Sequence, residues 1–457
     1  MNIPSSIFKA YDIRGIVETE LTPEIVKLIG RAVGSESIEK GERGVVVGRD
    51  GRLTGPELSE ALISGLIESG CHVVNIGMVP SPVVYFATHT KAATSGVMIT
   101  GSHNPAEYNG LKIMIAGETL SAEKIQSLYT RILENDFKTG SGTSTSINID
   151  QDYINTIKSD INLEKELNIV IDCGNGVAGN IAPQLFEALG VKLSKLFCLV
   201  DGRFPNHHPD PSKPKNLEDL IQEVIETKSD LGLAFDGDGD RLGLIDNKGK
   251  IIWADQQMML YAKDVLTRNK GAKIIFDVKC TSLLPKVISD NGGEPIMSRT
   301  GHSFIKKKLK ETNAALAGEM SGHIFFKERW YGFDDALYTA ARLLEIVSKS
   351  NKSCSELFDE FPVNLSTPEI NINFDKHGQQ FEAMDSLSSH IDFPGANINT
   401  IDGVRVDYED CWGLVRPSNT TPCLVLRFEA KDNTALIDIQ EKFKNWLEFC
   451  DISADDL

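Results

Sequence analysis

The sequence predicts an α/β protein: three repeated domains, each on a mixed or parallel sheet, around a cleft, plus a smaller α+β C-terminal domain. Three observations support this fold class. A strand–helix–strand–helix–strand pattern occurs three times, the C-terminal part breaks that pattern, and a polar loop follows the third strand of every repeat. Strands that alternate with helices are typical of parallel sheets covered on both faces.

Each repeat follows the same order of elements. A short apolar strand leads into a loop and a helix that ends near a glycine, the usual helix C-cap. The first strands are expected at residues 44–48, 167–172 and 272–277, the second at 72–76, 191–197 and 294–297, and the third at 96–100, 231–235 and 314–317. Ligands of such sheets bind at the carboxyl ends of strands, so the polar loops are expected to face one cleft.

The repeats suggest domain limits. We expect domains over residues 1–146, 147–251, 252–362 and 363–457, with a polar linker at 138–146. In the last domain, strands are expected at 369–374 and 423–429 and a helix at 434–449, which indicates an antiparallel sheet.

Charge and hydropathy restrict the class of partner. The formal net charge of −18 argues against a nucleic acid, which needs a basic face, but a local cluster of cations can still bind a small anion. No apolar run approaches the ~18 residues of a membrane span, and the first residues lack the apolar core of a signal peptide. We expect no membrane partner.

Cysteine usage indicates the compartment. The eight cysteines show no C-x-x-C spacing, and those in apolar runs, Cys173, Cys198 and Cys423, are expected to be buried thiols of a reducing compartment. We therefore expect a cytoplasmic protein. We also expect a monomer, with an oligomer as the alternative.

The loop after the first repeat's third strand, residues 100–105 (the serine loop), presents Ser102 and His103. Asn104 and Pro105 prevent a helix from continuing the strand. A serine beside a histidine at a strand terminus can be a nucleophile, although the same residues also suit an ordinary turn.

The second polar loop, residues 236–241 (the aspartate loop), alternates Asp236, Asp238 and Asp240 with glycines. Glycine lets the backbone curl so that carboxylates converge, and converging carboxylates repel unless a hard cation lies among them. A calcium loop is excluded because its sixth and twelfth positions hold Arg241 and Asn247. The pattern favours Mg²⁺ that also contacts a phosphate oxygen, and the alternative is a solvated acidic turn.

Two further loops carry polar groups. Residues 318–323 (the glutamate loop) offer Glu319 and Ser321, which can hydrogen bond to adjacent hydroxyls. Residues 416–422 (the arginine loop) offer a guanidinium, short polar side chains and amides that suit a phosphate dianion, or form an ordinary polar turn. The candidates there are Arg416, Ser418, Asn419 and Thr420.

One motif points to another class of protein. Residues 174–179 match the dinucleotide fingerprint G-x-G-x-x-G, with Asp201 near the expected acidic position. A single match of this kind is weak evidence, and a tight strand-to-helix turn explains it equally well. A nicotinamide enzyme would also leave the three aspartates unexplained.

Five motifs together resemble the α-D-phosphohexomutase superfamily, most closely its bacterial phosphomannomutase/phosphoglucomutase branch. They are residues 9–15 (KAYDIRG), 100–105 (TGSHNP), 236–241 (DGDGDR), 318–323 (GEMSGH) and 416–420 (RPSNT). The resemblance covers the whole chain, with the motifs in family order. Small departures are glycine at 101, where alanine is frequent, and proline at 417, where a small residue is frequent.

The resemblance implies a set of functional residues. Ser102 would carry a phosphate, and one Mg²⁺ would be held by that phosphate and Asp236, Asp238 and Asp240. Candidate catalytic residues are Ser102, His103, Arg14, Lys112 and Arg241. Candidate substrate-binding residues are Tyr11, Lys279, His302, Glu319, Met320, Ser321, Gly322, His323, Arg416, Pro417, Ser418, Asn419 and Thr420. His302 and His323 can equally be structural histidines.

The implied activity is an intramolecular phosphotransfer between hexose 1-phosphate and hexose 6-phosphate, with mannose, glucose or both as the sugar. A 1,6-bisphosphate would be the intermediate, and glucose 1,6-bisphosphate an activator. Phosphoglucosamine mutase is an alternative, although that branch usually has glutamine at the position of Met320. Two more hypotheses are a magnesium-dependent sugar phosphatase and a non-catalytic module that binds a metal or a dinucleotide.

Overall fold

Four sheets follow one another along the chain in the described part of the structure, a computed structural model that describes residues 3–90, 93–376, 378–419, 421–454 and 457. The first three sheets mix parallel and antiparallel strands, and the fourth is antiparallel. This confirms the predicted fold class. No helix among these residues is both long and apolar enough to cross a bilayer.

The first sheet has the strand order β1-β5-β4-β2-β3-β7, with β6 beside β5. Its elements are β1 (Ile13–Ile16), α1 (Pro23–Glu39), β2 (Gly44–Arg49), α2 (Gly55–Glu68), β3 (His72–Met78), α3 (Ser81–Thr90), β4 (Ser95–Ile99), β5 (Tyr108–Ile115), β6 (Glu118–Thr119), α4 (Glu123–Leu133) and β7 (Thr143–Ser146). A 3-10 helix (Ser5–Ile7) precedes β1.

Strand β7 corrects the predicted linker. The last four residues of the segment 138–146 pair in parallel with β3 and form the edge of the first sheet. Small polar residues suggested a flexible connection, but threonine has a high β propensity, and the open edge of β3 supplies hydrogen-bonding partners for the backbone.

The second and third sheets repeat the arrangement. The second has the order β12-β11-β10-β8-β9 and the third β14-β13-β15-β16. Their elements are α5 (Asp150–Asp160), β8 (Asn168–Asp172), α6 (Ala182–Ala188), β9 (Lys192–Leu196), α7 (Glu218–Thr227), β10 (Leu231–Phe235), β11 (Leu242–Asp246), β12 (Ile251–Ile252), α8 (Ala254–Arg268), β13 (Lys273–Asp277), α9 (Leu283–Asp290), β14 (Glu294–Ser298), α10 (His302–Thr312), β15 (Leu316–Gly318), β16 (Ile324–Phe326), α11 (Ala336–Lys349) and α12 (Cys354–Phe358), with 3-10 helices at Val177–Asn180 and Pro214–Leu217.

The fourth sheet has the order β17-β22-β21-β20-β19, with β18 beside β22. Its elements are β17 (Leu365–Ser366), β18 (Ile370–Asn373), α13 (Gln379–Ser389), β19 (Asn397–Asn399), β20 (Val404–Asp407), β21 (Cys411–Pro417), β22 (Cys423–Ala430) and α14 (Asn433–Phe449). Every predicted polar loop connects two antiparallel neighbours: β4 to β5, β10 to β11, β15 to β16, and β21 to β22.

Helix α3 joins the first three sheets. Its residues 81–88 are all buried, as expected of a helix that is apolar on every side. Phe86 stacks on Trp330 at a ring-centroid distance of 6.0 Å and meets Tyr153 edge-on at 5.4 Å. These aromatic contacts hold the first three sheets together behind the loops.

The cysteines are all free thiols. Cys173 and Cys423 are buried as expected, whereas Cys198 is only half-buried, because it lies in the loop after the edge strand β9 rather than in the sheet.

Arg405 joins the fourth sheet to the third. Its buried guanidinium lies 3.8 Å from the centre of the Trp412 ring and donates to the carbonyls of Val278 (2.6 Å) and Cys280 (2.8 Å). Those carbonyls flank Lys279, so this contact also shapes the loop that carries a candidate site residue.

Arg405→Ala should lower the thermal unfolding midpoint measured by calorimetry. It leaves two buried carbonyls without a donor, which typically costs about 1–3 kcal/mol. Lys442→Ala, which removes an exposed pair with Asp438 on α14, should leave the midpoint unchanged. Equal midpoints for the wild-type protein and Arg405→Ala would contradict the role given to this contact.

Candidate active site

The serine and aspartate loops meet at Ser102. The Ser102 hydroxyl donates to Asp236 Oδ2 at 3.2 Å, across two different sheets. A Cβ atom at Gly237 would lie 2.3 Å from the Ser102 carbonyl oxygen, so only glycine permits this approach. The loops therefore depend on each other for their positions.

Ser102 is held in an uncommon backbone conformation. Its φ is +50° and its residue is 1% exposed. Its amide donates to Thr100 Oγ1 at 2.8 Å, and its carbonyl accepts from Arg52 at 2.8 Å. A left-handed non-glycine residue that its neighbours hold so firmly is a common feature of active sites.

His103 lies next to the Ser102 hydroxyl, with Nδ1 3.1 Å from Oγ. Burial, together with the guanidinium groups of Arg241 and Arg14, lowers the pKa of His103 well below its usual value. Burial therefore favours the neutral form of this imidazole over the charged form. Arg14 approaches from β1 and donates to Asn104 Oδ1 at 2.7 Å.

The three carboxylates of the aspartate loop are completely buried. Burial and the carboxylates of Asp240 and Asp238 raise the pKa of Asp236 well above its usual value. Oδ1 of Asp236 accepts the amides of Asp240 (3.0 Å) and Arg241 (3.1 Å). These amide contacts curl the loop and bring the carboxylates together.

Lys112 on β5 offsets part of this charge. Its ammonium lies 2.6 Å from Asp238 Oδ2 and 2.5 Å from Asp240 Oδ2. Burial favours the neutral amine, but the Asp238 and Asp240 carboxylates outweigh it and raise the pKa of Lys112 well above its usual value. Asp238 Oδ2 also accepts a short hydrogen bond from Ser81 at the start of α3.

A divalent cation fits this loop. Asp238 Oδ1 and Asp240 Oδ1 are buried and have no hydrogen-bond partner among the described residues. One ligand atom from each of the three aspartates lies within 4.8 Å of the others. Buried oxygens without partners are costly, and carboxylate oxygens are the ligands that Mg²⁺ prefers.

The glutamate loop lies beside the aspartate loop. Arg241 Nε donates to His323 Nε2 at 2.9 Å, and the two residues form a backbone bridge. Glu319 accepts from the amide of Gly301 at 2.5 Å, and burial raises its pKa. The amide of Met320 donates to Asp277 at 3.1 Å.

The rest of this loop completes the wall of the cleft. Ser321 is half-buried, and Gly322 has a φ of +101°, which favours glycine. The His302 ring stacks on His323 at a centroid distance of 5.7 Å and meets Tyr11 edge-on at 6.4 Å.

The arginine loop comes from the fourth sheet. Arg416 is buried, and its Nε donates to Asp402 Oδ2 at 2.9 Å. That carboxylate oxygen also accepts the amide of Thr300 at 2.9 Å. Asn419 donates to the hydroxyl of Tyr11, which donates to the Thr300 carbonyl at 3.1 Å.

Three more of the predicted substrate-binding residues are Pro417, Ser418 and Lys279. Ser418 Oγ is 2.8 Å from Thr421 Oγ1, and Pro417 ends β21. Lys279 forms an ion pair of 2.7 Å with Glu369, which lowers the pKa of Glu369 to about 2. Thr420 lies outside the described residues.

Sequence reasoning missed Arg52 and Asp50, a buried carboxylate that accepts from Arg52 Nε at 3.2 Å and from Thr100 Oγ1 at 2.8 Å. The buried Arg52 guanidinium donates to the carbonyls of Ser102 (2.8 Å), Asn104 (2.6 Å), Pro105 (2.5 Å) and Tyr108 (2.9 Å). A Cβ at Gly101 would lie 2.4 Å from Arg52 Cζ, which explains why glycine suits that position here. Both charges follow β2 directly, so the strand-end rule that located the other loops could have found them.

The dinucleotide fingerprint is a structural turn. Its second half forms a 3-10 helix, Val177–Asn180, and the amide of Val177 donates to the Gly237 carbonyl at 3.1 Å. A Cβ at Gly176 would lie 3.0 Å from that same carbonyl oxygen. Asp201 instead pairs with the exposed Arg203. The glycines thus support the aspartate loop from behind.

Family comparison assigns the four sheets to one group of proteins. Residues 5–139, 151–249 and 253–364 match alpha/beta/alpha domains I, II and III of phosphoglucomutase/phosphomannomutase, and residues 369–445 match its C-terminal domain.

Curated relatives extend over nearly the full length. The chain is 56% identical over 445 residues to a phosphomannomutase/phosphoglucomutase of Pseudomonas putida, covering 97% of this chain and 96% of the relative. It is 52% identical over 450 residues to a phosphoglucomutase of Neisseria meningitidis, covering 98% of each.

Solved structures show the same fold. A phosphoglucomutase/phosphomannomutase family protein of Burkholderia thailandensis has a TM-score of 0.94 and 49% identity, with 99% of each chain covered. An Aspergillus fumigatus N-acetylphosphoglucosamine mutase, solved with glucose 1,6-bisphosphate, has a TM-score of 0.63 at 13% identity, covering 99% of this chain and 97% of that one.

Asp238→Asn should weaken Mg²⁺ binding in calorimetric titration by about tenfold or more, because the affinity of such sites depends on the number of charged ligands. Asp246→Asn is the matched control: Asp246 is also buried, but it accepts only backbone amides of Lys248 and Lys250. If both variants bind Mg²⁺ as the wild-type protein does, the aspartate loop is not the cation site.

Proposed function

The chain belongs to the phosphoglucomutase/phosphomannomutase family and is a hexose phosphate mutase, and we propose that it converts hexose 1-phosphates into hexose 6-phosphates through phosphorylated Ser102. The observation that carries this proposal is the contact of the Ser102 hydroxyl with Asp236, one of three buried carboxylates, with His103 Nδ1 3.1 Å from the same hydroxyl. That combination is suited to moving a phosphoryl group on and off a serine.

The first step transfers a phosphoryl group from Ser102 to the free sugar hydroxyl. The bond from phosphorus to Ser102 Oγ breaks, a bond to the sugar oxygen forms, and the hydroxyl proton passes to a nearby base. His103, Arg14 and Lys112 are the candidates for proton transfer or charge stabilisation. The resulting 1,6-bisphosphate turns round, and its other phosphoryl group returns to Ser102.

The charge on the transferring group must be offset. Arg241, the last residue of the aspartate loop, would offset it, and its contact with His323 of the glutamate loop supports this role. Mg²⁺, held by Asp236, Asp238, Asp240 and the Ser102 phosphate, supplies further positive charge when it is bound.

The glutamate and arginine loops would hold the sugar and its other phosphate. Glu319 and Ser321 are proposed to bind hydroxyls, and Arg416, Ser418, Asn419 and Thr420 the phosphate that is not transferring. Tyr11, Lys279, His302, Met320, Gly322, His323 and Pro417 would complete the binding surface. Asp402 already binds Arg416 through Nε at 2.9 Å and Nη2 at 3.4 Å, so the edge of the guanidinium that carries Nη1 would face the phosphate.

We propose that the chain acts on small phosphosugars as a cytoplasmic monomer activated by glucose 1,6-bisphosphate. The eight free thiols support a reducing compartment.

Substrate preference can be tested directly. We expect kcat/KM for glucose 1-phosphate and mannose 1-phosphate to exceed that for glucosamine 1-phosphate by about tenfold or more, a difference of about 1.4 kcal/mol. A preference for glucosamine 1-phosphate would indicate a phosphoglucosamine mutase instead. Release of inorganic phosphate without isomer formation would indicate a phosphatase.

Ser102→Ala should abolish turnover and remove the covalent phosphate detected by intact mass spectrometry, because no other hydroxyl takes its place beside Asp236 in the described residues. Ser127→Ala, an exposed serine of α4, should keep both the phosphate and the activity. Turnover at the wild-type rate by Ser102→Ala would show that Ser102 is not the nucleophile.

Arg416→Ala should raise KM for glucose 1-phosphate and mannose 1-phosphate alike, by roughly 10- to 150-fold. A charge-assisted hydrogen bond contributes about 1.5–3 kcal/mol, and this phosphate is bound in both orientations. The bisphosphate should also escape more often, so that activity depends more on added glucose 1,6-bisphosphate.

The double variant Arg416→Ala/Asp402→Asn is the control for Arg416→Ala, because the single change leaves Asp402 buried without its guanidinium. KM should stay high in the double variant. Recovery of the wild-type KM, or an effect on one sugar only, would show that Arg416 is not the shared phosphate anchor.

A further inference from the structure

Asp334 is a completely buried aspartate that neither the motifs nor the proposed function uses. It follows β16 and lies behind the glutamate loop, 0% exposed. Lys306 on α10 donates to its Oδ1 at 2.9 Å. Its Oδ2 lies 3.2 Å from His323 Nδ1 and 3.5 Å from His302 Nδ1. His323 Nδ1 also lies 3.5 Å from Asp240 Oδ1, and these carboxylate oxygens and ring nitrogens are buried without a hydrogen-bond partner among the described residues.

The contact between Arg241 and His323 determines where the histidine carries its proton. Arg241 Nε lies 2.9 Å from His323 Nε2, and a guanidinium can only donate. His323 Nε2 must therefore be the unprotonated nitrogen. In a neutral imidazole the proton is then on Nδ1, the atom that faces the Asp334 carboxylate.

We propose that Asp334 is a positioning residue, which holds His323 in the Nδ1–H tautomer and thereby keeps Nε2 available to orient Arg241. The inference rests on the proposed function, in which Arg241 offsets charge on the transferring phosphoryl group. Lys306 binds one carboxylate oxygen of Asp334, so the other oxygen remains directed at His323. The chain of contacts runs from Lys306 through Asp334 and His323 to Arg241.

A second cation site is the other explanation of this cluster, because Asp240, His323 and Asp334 lie close enough to share an ion. Two features oppose it. His323 Nδ1 would be the ligand atom, yet the Arg241 contact places the proton there. Lys306 and Arg241 also add positive charge directly beside two of the three residues.

Asp334→Asn tests the proposal sharply. Lys306 is expected to retain the amide oxygen of the new side chain, which leaves the NH₂ group facing His323 Nδ1. Two donors cannot share that contact, and Asp240 Oδ1 is the more distant acceptor for Nδ1 at 3.5 Å, so the ring should move its proton to Nε2 and lose the bond from Arg241. Replacing an aspartate by asparagine beside a histidine reverses the tautomer in this way in serine proteases.

The tautomer can be read by ¹⁵N NMR of the histidine rings at a pH where His323 is neutral, with His323→Gln to assign the signal. In the wild-type protein we expect a protonated Nδ1, and in Asp334→Asn a protonated Nε2. A protonated Nε2 in the wild-type protein overturns the proposal, whether or not any variant folds.

Kinetics supply the second readout. Asp334→Asn should lower kcat by about 10- to 100-fold, as expected of a misplaced catalytic group, while KM changes less than about threefold. Asp335→Asn is the matched control: Asp335 is equally buried, its Oδ1 accepts from Tyr338 and Tyr153, and its Oδ2 accepts from Trp330 Nε1. Both substitutions therefore turn a buried NH₂ group toward a donor, but only Asp334→Asn does so at His323. Asp335→Asn should keep kcat and the Nδ1–H tautomer.

These results separate the two proposals. A wild-type protein without mutase activity would contradict the proposed function alone, since the tautomer is measured without turnover. A wild-type mutase whose Asp334→Asn variant keeps kcat and the Nδ1–H tautomer would contradict the role of Asp334. A loss of kcat equal in Asp334→Asn and Asp335→Asn would show a structural effect only and would also contradict that role.

Discussion

The mutual repulsion of three buried carboxylates is the constraint on which the rest of the site depends. Asp236, Asp238 and Asp240 are within one short loop and have no access to bulk water. Such a group is stable only where positive charge and donors surround it. Lys112 and Ser81 come from the first sheet and its helix α3, so the loop of the second sheet is stable only when the first sheet is docked against it.

The same constraint connects structure to chemistry. Lys112 donates to Oδ2 of both Asp238 and Asp240. The Oδ1 atoms of these two aspartates stay buried without hydrogen-bond partners among the described residues. Because the negative charge of these carboxylates is only partly neutralised, the site favours a cation and a phosphate together. Ser102 lies at its edge, where a phosphate on the hydroxyl would enter the same field.

A second network reaches the fourth sheet through the buried ion pair of Arg416 with Asp402 and the hydrogen bonds around it. Asp402 accepts from both Arg416 and Thr300, and Tyr11 lies between Asn419 and the Thr300 carbonyl. Three sheets thus meet around Thr300. Each hydrogen bond contributes only about 0.5–3 kcal/mol, so the position of this loop depends on several of these contacts together.

The sequence by itself determined the fold class, the family and the activity, because strand–helix alternation, glycine-spaced aspartates and five separate motifs are local patterns. Lys112 stands alone in an apolar strand, but only the tertiary structure shows that it neutralises two aspartates more than 120 positions away. Lys112 was among the candidate catalytic residues, whereas Arg52, Asp402 and Asp334 were missed, since each acts through a partner from another segment. Hydrogen bonds and ion pairs between segments distant in sequence leave no periodic trace, and folding alone determines which residues they join.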